Sequence, residues 1–259
     1  MKSFNNKVAV ITGAGSGIGR ALAQQLSAEG ALLALSDVNL EGLKETQAGL
    51  TGSGKVLITQ LDVADRSAFE QYAKDVITEF GHADLLFNNA GVALAQTVND
   101  CSYDDFEWLM NINFWGVVYG TKSFLPHMLE RPEAAIINVS SIFGIIALPT
   151  QSQYNAAKFA VRGFTESLRQ EVKDSNVYVG CVHPGGIKTN IVVNGRMHTS
   201  MVGEQTHTQQ IEEFNKMART TPQKAAQTIL NGVRKNKRRI LIGQDAKFMD
   251  RIQRLFPEK

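Results

Sequence analysis

The sequence has little of several features that define whole classes of protein. Its two cysteines, Cys101 and Cys181, lack both CxxC spacing and histidines at metal-ligand distance, so no zinc site is expected. Such sparse cysteine usage fits a reducing compartment rather than a disulfide-stabilised secreted protein. The 27 Lys and Arg residues against 25 Asp and Glu residues leave a formal net charge of +2. This charge is too near neutral to indicate a nucleic-acid partner.

Long hydrophobic runs are absent too. The apolar run before Gly13 is too short for a signal peptide, and no stretch approaches the roughly 18 apolar residues of a membrane-spanning helix. With 43% hydrophobic and 20% charged residues, the composition is that of an ordinary globular protein and excludes disorder, collagen and coiled coil. We therefore expect a cytoplasmic protein without a membrane span.

Short β-branched runs alternate with longer helical patterns along the chain. The predicted strands are 8–12, 32–36, 56–61, 85–88, 135–140, 177–182 and 239–242. The predicted helices are 17–29, 40–50, 66–80, 103–130 (as one helix or as two that meet near Asn111), 154–173 and 222–235. Strands that alternate with helices form a parallel sheet covered on both faces. The sequence thus predicts one α/β domain over residues 1–259, with a doubly wound, seven-stranded parallel sheet.

Residues 190–218 interrupt this alternation. They are polar, with Met197, Met201 and Met217 among threonine, glutamine, histidine and glycine, and they follow the sixth predicted strand. Ligands of open α/β sheets bind at the carboxyl ends of the strands. We therefore interpret the segment as a mobile substrate lid within the domain, with an ordinary surface insertion as the alternative.

The first predicted strand runs into a glycine-rich turn at the start of a helix. Gly13, Gly17 and Gly19 permit close backbone approach, and the helix offers free N–H groups to a pyrophosphate. Near the end of the second strand, the Asp37 carboxylate can accept both hydroxyls of an adenosine ribose, although a helix N-cap is the alternative. Because a carboxylate repels a 2′-phosphate and Val38 supplies no arginine, we expect NAD(H) rather than NADP(H).

Tyr154 and Lys158 are four residues apart and therefore share one face of a predicted helix. An ammonium beside a phenol favours the ionised form, so we expect a lowered pKa for Tyr154. A tyrosine tuned in this way can exchange a proton with a ketone or an alcohol near neutral pH. Ser141 follows the fifth strand at the same sheet edge, where it can hydrogen-bond the substrate oxygen. A solvated Tyr–Lys pair on a helix surface is the alternative.

These residues resemble the short-chain dehydrogenase/reductase family, in its roughly 250-residue form, over nearly the whole chain. The motifs that carry the resemblance are Thr12-Gly13-x-x-x-Gly17-x-Gly19, Asn88-Asn89-Ala90-Gly91, Asn113, Ser141, Tyr154-x-x-x-Lys158 and Pro184-Gly185-Gly186-Ile187-Lys188-Thr189. The thirteen-residue step from Ser141 to Tyr154 is the usual one in the family. The resemblance implies a Rossmann fold and an enzyme that interconverts a secondary alcohol and a ketone.

The resemblance also implies roles for individual residues. Tyr154 is the general acid and base, Lys158 lowers its pKa and binds the nicotinamide ribose, and Ser141 polarises the carbonyl. Asn113 supports a water that connects Lys158 to solvent. The implied cofactor contacts are Gly13, Ser16, Gly17, Ile18, Gly19, Asp37, Asp62, Val63, Asn89, Ala90, Gly91, Tyr154, Lys158, Pro184, Gly185, Ile187 and Thr189. In the family, the corresponding long helix pairs between subunits, so the resemblance implies a homodimer or homotetramer that uses the apolar face of Phe114, Trp115, Val118, Phe124 and Leu125.

The residues expected around the reacting carbon are mostly apolar. They are Val92, Ala93, Leu94, Phe143, Ile145, Ile146, Leu148, Ile191, Val192, Val193 and Met197. An unpaired charge is costly beside such residues, so we expect a small apolar alcohol or ketone as the substrate. Lys188 could instead reach an anionic tail. An NADP(H)-dependent carbonyl reductase and a cofactor-binding regulatory protein without turnover are the alternative functions.

Two further features each have two interpretations. His183 could be a second proton relay or a structural, hydrogen-bonded histidine. The basic run at residues 234–239 could bind an anionic surface or a substrate phosphate. It could equally cap the preceding helix and remain in solvent.

Overall fold

The computed structural model describes residues 1–199 and 206–257. The strands are β1 (Val8–Thr12), β2 (Leu32–Asp37), β3 (Val56–Gln60), β4 (Leu85–Asn88), β5 (Leu94–Ala95), β6 (Ala134–Val139), β7 (Val177–Pro184), β8 (Arg196–Met197) and β9 (Arg239–Ile242). The α-helices are α1 (Gly17–Ala28), α2 (Leu40–Ala48), α3 (Arg66–Phe80), α4 (Tyr103–Met110), α5 (Gly116–Leu129), α6 (Ser152–Glu171), α7 (His207–Met217), α8 (Pro222–Arg234) and α9 (Gln244–Leu255). A π-helical turn spans Asn111–Trp115, and a 3₁₀ turn spans Ile142–Gly144.

Seven of these strands form one parallel sheet in the order β3-β2-β1-β4-β6-β7-β9. The order reverses direction between β1 and β4, which makes the sheet doubly wound and creates a crevice at the carboxyl ends of these two strands. The predicted fold class is confirmed, and the predicted strands agree with those observed to within two residues.

Both faces of the sheet are buried, which explains the unbroken apolar character of its strands. Along β1, Ala9 and Ile11 face a core that includes Leu22 of α1 and Ile229 of α8. Val10 points to the opposite face, into a second core built with α3, α5 and α6. All five residues of β1 are therefore buried.

A chain of buried polar side chains crosses the middle of the sheet. Asn88 and Asn138 are direct partners in the register of β4 and β6, and Asn88 Nδ2 donates to Asn138 Oδ1 at 2.8 Å. Asn138 Nδ2 in turn donates to Thr165 Oγ1 of α6 at 3.0 Å. On the other side, Asn88 Nδ2 lies 3.2 Å from Thr121 Oγ1 of α5. Two strands and two helices are thus connected inside the core.

The helices differ from prediction in three places. The predicted 103–130 segment is two α-helices joined by the π-helical turn, in agreement with the two-helix alternative. The 190–218 segment contains β8, which pairs with β5, and α7, which was not predicted. Met201 lies outside the described residues. The C-terminal helix α9 was also missed, because most of its large apolar side chains point outward rather than into the core.

None of the described helices combines the length and the hydropathy needed to cross a lipid bilayer.

Candidate active site

The glycine loop between β1 and α1 lines a large cavity with backbone atoms that no side chain covers. Gly13 has φ +66° and Gly17 has φ +52°, a region that residues with a Cβ rarely adopt. A Cβ on Gly13 would also lie 2.8 Å from Ala90 Cα. Ser16 is the N-cap of α1 but makes no side-chain cap hydrogen bond. Free N–H groups at the start of α1 therefore face the cavity, an arrangement that suits a pyrophosphate.

This cavity of about 1580 Å³ contains most of the residues predicted to bind a cofactor. It is lined by Gly13, Ser16, Gly17, Ile18, Asp37, Asp62, Val63, Asn89, Ala90, Gly91, Tyr154, Lys158, Pro184, Gly185, Ile187 and Thr189. Gly19 is not among the lining residues. A Cβ on Gly19 would lie 2.1 Å from Gly13 O, so this glycine permits α1 to pack against the loop.

Asp37 stands at the end of β2, close to the glycine loop. Its Oδ2 atom accepts a hydrogen bond from Gly15 N at 2.9 Å, and its Oδ1 atom accepts one from Asn39 N at 2.9 Å. The N-cap of α2 is Asn39, whose side chain accepts from Gly42 N. The alternative of Asp37 as the helix N-cap is therefore wrong, and its carboxylate lines the cavity beside the exposed Val38.

Arg20, which the sequence analysis missed, also lines this end of the cavity. Its guanidinium donates to Gly15 O and to Thr46 Oγ1, the latter at 3.0 Å, and pairs with Glu45 at 2.8 Å. These partners hold the cation beside the glycine loop. No sequence motif marks it, because Glu45 and Thr46 belong to α2 rather than α1.

The loop after β4 is fixed to β1 by hydrogen bonds. Thr12 Oγ1 accepts from Asn89 N at 3.0 Å and from Ala90 N at 3.1 Å. A Cβ on Gly91 would lie 2.9 Å from Asn113 Oδ1 and 3.3 Å from Lys158 Nζ. Glycine at this position therefore allows the loop to approach two of the predicted catalytic side chains.

Three predicted catalytic side chains meet in this cavity. Tyr154 and Lys158 lie one turn apart on α6, and Lys158 Nζ is 5.6 Å from the centre of the Tyr154 ring. Ser141, the N-cap of the 3₁₀ turn after β6, lines the same cavity and lies close enough to Tyr154 to affect the pKa of the phenol. All three are less than a tenth exposed, so the alternative of a solvated Tyr–Lys pair is wrong.

Burial shifts the pKa values of both titratable groups. It raises the pKa of Tyr154 to about 12, and the neighbouring polar side chain of Ser141 only partly opposes this shift. It lowers the pKa of Lys158 to about 8, because the ammonium is desolvated. The predicted lowering of the Tyr154 pKa is therefore wrong in direction. At neutral pH the phenol keeps its proton, and Lys158 donates to Val139 O at 3.2 Å.

Asn113 lies in the π-helical turn and does not line the cavity. Its Oδ1 atom accepts from Val92 N and its Nδ2 atom donates to Val92 O, both at 2.9 Å. These two hydrogen bonds hold the loop after β4 beside Lys158. Turns of π-helix are frequent at functional sites.

The family model described as short chain dehydrogenase matches residues 7–199, which include the glycine loop and the predicted catalytic side chains. The chain belongs to the short-chain dehydrogenase/reductase family. The family consists of oxidoreductases, and the match confirms the resemblance that the sequence motifs indicate.

Other members of the family resemble this chain over almost its full length. The oxidoreductase SadH of Mycobacterium tuberculosis is 49% identical over 98% of this chain and 92% of its own. A short-chain dehydrogenase/reductase from Burkholderia phymatum, solved in complex with NAD, is 28% identical with a TM-score of 0.89 over 100% of this chain and 96% of its own. Levodione reductase is 31% identical with a TM-score of 0.84, over 94% and 99% of the two chains.

The Pro184–Thr189 turn of this short-chain dehydrogenase is held from two sides. Asp245, at the start of α9, accepts a hydrogen bond from Gly186 N at 2.7 Å. His183, which precedes the turn, is fully buried, and its Nδ1 atom lies 2.9 Å from Ser141 O. Burial lowers the pKa of His183 to about 4, so the ring is neutral and donates to this carbonyl. His183 is therefore a structural histidine rather than a proton relay.

The far half of the cavity is largely apolar. Of the residues expected around the reacting carbon, Val92, Ala93, Phe143, Ile146, Leu148, Ile191, Val192 and Met197 line it. Leu94 and Ile145 are instead buried in small clusters behind the wall, and Val193 is 46% exposed. Helix α7 adds Phe214 and Met217 to the lining, together with the polar Gln210 and Glu213.

The first part of the 190–218 segment is attached to α4. The Arg196 guanidinium lies 3.9 Å from the centre of the Trp108 ring and forms an ion pair with Asp105. Its neighbour Met197 reaches the cavity. This attachment positions the segment over the apolar half of the site.

Proposed function

We propose that this short-chain dehydrogenase is an NAD(H)-dependent enzyme that interconverts a secondary alcohol and a ketone with a largely apolar body. One observation carries the proposal: the buried Tyr154, Ser141 and Lys158 share a single cavity with the glycine loop and Asp37. A nicotinamide cofactor, when bound there, supplies or accepts the hydride.

The chain's own residues would handle the proton. Because burial raises the pKa of Tyr154, the phenol is protonated at neutral pH and can donate to a ketone oxygen. Ser141 would hydrogen-bond the same oxygen and orient it. The Lys158 ammonium, 5.6 Å from the ring centre, would stabilise the phenolate that remains. In the oxidation direction the same groups would act in reverse, and Asn113 would support a water that leads to solvent.

The first prediction concerns the cofactor. We expect kcat/KM to favour NADH over NADPH by roughly ten- to hundredfold, because the Asp37 carboxylate would repel a 2′-phosphate. The double variant Asp37→Ala, Val38→Arg should lose or reverse this preference, whereas Val38→Ala should keep it. Steady-state rates with both cofactors measure the effect.

Comparable kcat/KM values for the two cofactors in the unmodified protein would contradict this prediction. Arg20 is the specific observation that favours the alternative, an NADP(H)-dependent carbonyl reductase. Its partners Gly15 O, Thr46 and Glu45 already engage the guanidinium, which is why we favour NAD(H).

The second prediction concerns the substrate. We expect a higher kcat/KM for a medium-chain methyl ketone than for a short 3-oxo acid, since the apolar wall gains about 25 cal/mol per Å² of hydrocarbon covered. Oxidation of NADH, followed by its absorbance, measures both rates. Clear preference for the acid would contradict the apolar pocket. Loss of that preference in Lys188→Met would then identify Lys188, which lines the cavity, as the carboxylate ligand.

A cofactor-binding regulatory protein without turnover is disfavoured by the buried cluster of Ser141, Tyr154 and Lys158. Burying an ammonium and a phenol is costly, and cofactor binding alone does not require both. Complete absence of turnover with every ketone and alcohol of a broad panel, together with normal NADH binding, would favour the regulatory function.

We further propose a cytoplasmic homodimer or homotetramer. Trp115 of the π-helical turn and Phe159 of α6 are 43% and 41% exposed, and large exposed aromatic side chains are typical of subunit interfaces. The neighbouring Phe124 is buried within the subunit and packs against Tyr72. Only part of the predicted apolar face is therefore available for association.

A further inference from the structure

The C-terminal helix α9 carries an apolar surface that the fold leaves uncovered. Phe248 is 59% exposed and Leu255 is 72% exposed, and Ile252 between them is exposed as well. These residues follow at helical spacings of four and three and therefore form one stripe along the helix. Single exposed apolar residues are ordinary, whereas a continuous stripe indicates an interaction surface.

Cations lie along one edge of this stripe. Successive residues of an α-helix are rotated by about 100° around its axis. Arg251 therefore lies beside Leu255 at one edge of the stripe, and Lys247 lies next to Arg251 farther around the helix. Lys247 lines a surface cleft of about 350 Å³ together with Lys235 and Lys237 of the basic run. The apolar stripe is therefore bordered by a positively charged surface that extends beyond α9.

Two arginines of the basic run form ion pairs within the chain. Arg234 pairs with Glu29, and Arg239 pairs with Glu166 and Asp250. Arg234 and Arg239 therefore support the fold, and the exposed Lys235, Lys237 and Arg238 are the part of the run that can meet an anionic partner.

The opposite edge of the stripe reaches the main cavity. Met249, next to Phe248 in sequence, lines that cavity and is 39% exposed. Met217 of α7 also lines the cavity and is 63% exposed. Apolar surface thus continues from the outer stripe of α9 to the side chains at the cavity mouth.

The charges on the exposed surface of α9 indicate which kind of partner can bind the apolar stripe. The two described carboxylates of α9 are engaged within the chain: Asp250 is buried and paired with Arg254, and Asp245 accepts from Gly186 N. Lys247 and Arg251 are exposed. Two copies of the face would oppose their cations, whereas an anionic lipid surface complements both the cations and the apolar stripe.

We propose that α9 lies in the plane of an anionic lipid bilayer, with Phe248, Ile252 and Leu255 among the acyl chains. This orientation places the cavity mouth, marked by Met217 and Met249, against the membrane. An apolar substrate dissolved in the lipid then enters the cavity without crossing water. Substrate delivery rests on the proposed function, whereas lipid binding does not.

Sedimentation with vesicles tests the proposal on the full chain. The protein should pellet with vesicles of phosphatidylcholine and phosphatidylserine, and at least about tenfold less with phosphatidylcholine alone. Raising the salt concentration should weaken binding, because it screens the cations. The variants Phe248→Ser with Leu255→Ser, and Lys247→Glu with Arg251→Glu, should each lower the partition coefficient by about tenfold or more.

Matched controls separate this face from the rest of the surface. Val98→Ser removes another exposed apolar side chain, and Lys74→Glu with Lys173→Glu makes the same charge change elsewhere. Both controls should bind vesicles normally.

Three results would overturn the proposal. They are a protein that stays in the supernatant, α9 variants that bind as well as the controls, and an α9 variant that changes only the oligomeric mass. Turnover of a water-soluble ketone is assayed separately, since its absence would refute the proposed function and leave vesicle binding standing.

Discussion

Tyr154→Phe is expected to lower kcat by about 10²- to 10⁴-fold while the affinity for NADH stays nearly unchanged. The substitution removes the hydroxyl of the buried phenol and keeps the ring that packs edge-on against Phe143 at 6.1 Å between centroids. Proton exchange is lost, whereas the walls of the cofactor cavity remain. Steady-state turnover and a fluorescence titration with NADH measure the two effects separately.

The matched control for this experiment is Tyr103→Phe, which makes the same chemical change at a tyrosine that is 87% exposed. Its turnover should equal that of the unmodified protein. Turnover by Tyr154→Phe within a few-fold of the unmodified rate would show that another group exchanges the proton.

Lys158→Met is expected to abolish most activity and yet stabilise the fold. Lys158 is 3% exposed, and burial lowers its pKa from 10.5 to about 8. Below pH 8 the lysine is charged in both the folded and the unfolded chain, so the full cost of burying the charge is present there. That cost disappears as the pH rises from about 8 to 10.5, because the folded protein then releases its proton first.

A methionine of similar shape avoids this cost but leaves Val139 O without its hydrogen bond from the ammonium. We expect a net gain of about 1–2 kcal/mol in the free energy of unfolding at neutral pH, and a smaller gain at high pH. The value of kcat/KM should fall at least about hundredfold. Denaturant unfolding at pH 7 and pH 10, with the exposed Lys74→Met as control, checks the sign; destabilisation at pH 7 would contradict it.

The elements that build the sheet could be predicted because their apolar runs are buried on both faces. Strand β1 is an example, since all five of its residues are buried and Ala9, Val10 and Ile11 alternate between the two cores. The same logic missed α9, whose spacing of Phe248, Ile252 and Leu255 is helical but whose stripe points away from the core. Periodicity finds the elements that the core uses, and α9 is held mainly by Ala246 and Asp250.

The candidate site was predictable where its chemistry is local in sequence. Tyr154 and Lys158 are one helical turn apart, and the glycines of the loop between β1 and α1 lie within a few residues of one another in the sequence. Asp245 could not be assigned, because its partner Gly186 lies 59 positions away. The direction of the Tyr154 pKa shift could not be predicted from the sequence either, because it depends on how completely the surrounding protein excludes water from the phenol.

The amide pair of Asn88 and Asn138 has a consequence for how the chain selects its strand alignment. The hydrogen bond from Asn88 Nδ2 to Asn138 Oδ1 forms only when β4 and β6 pair as observed. Sliding one strand by a single residue would turn its amide to the opposite face, break this bond and leave the displaced amide without its partners in hydrocarbon. Apolar residues such as Leu85, Leu86 and Phe87 would be buried in several alternative registers of β4 against β6. The hydrogen bond between the two amides is made in one register only, so it favours the observed alignment at the centre of the sheet.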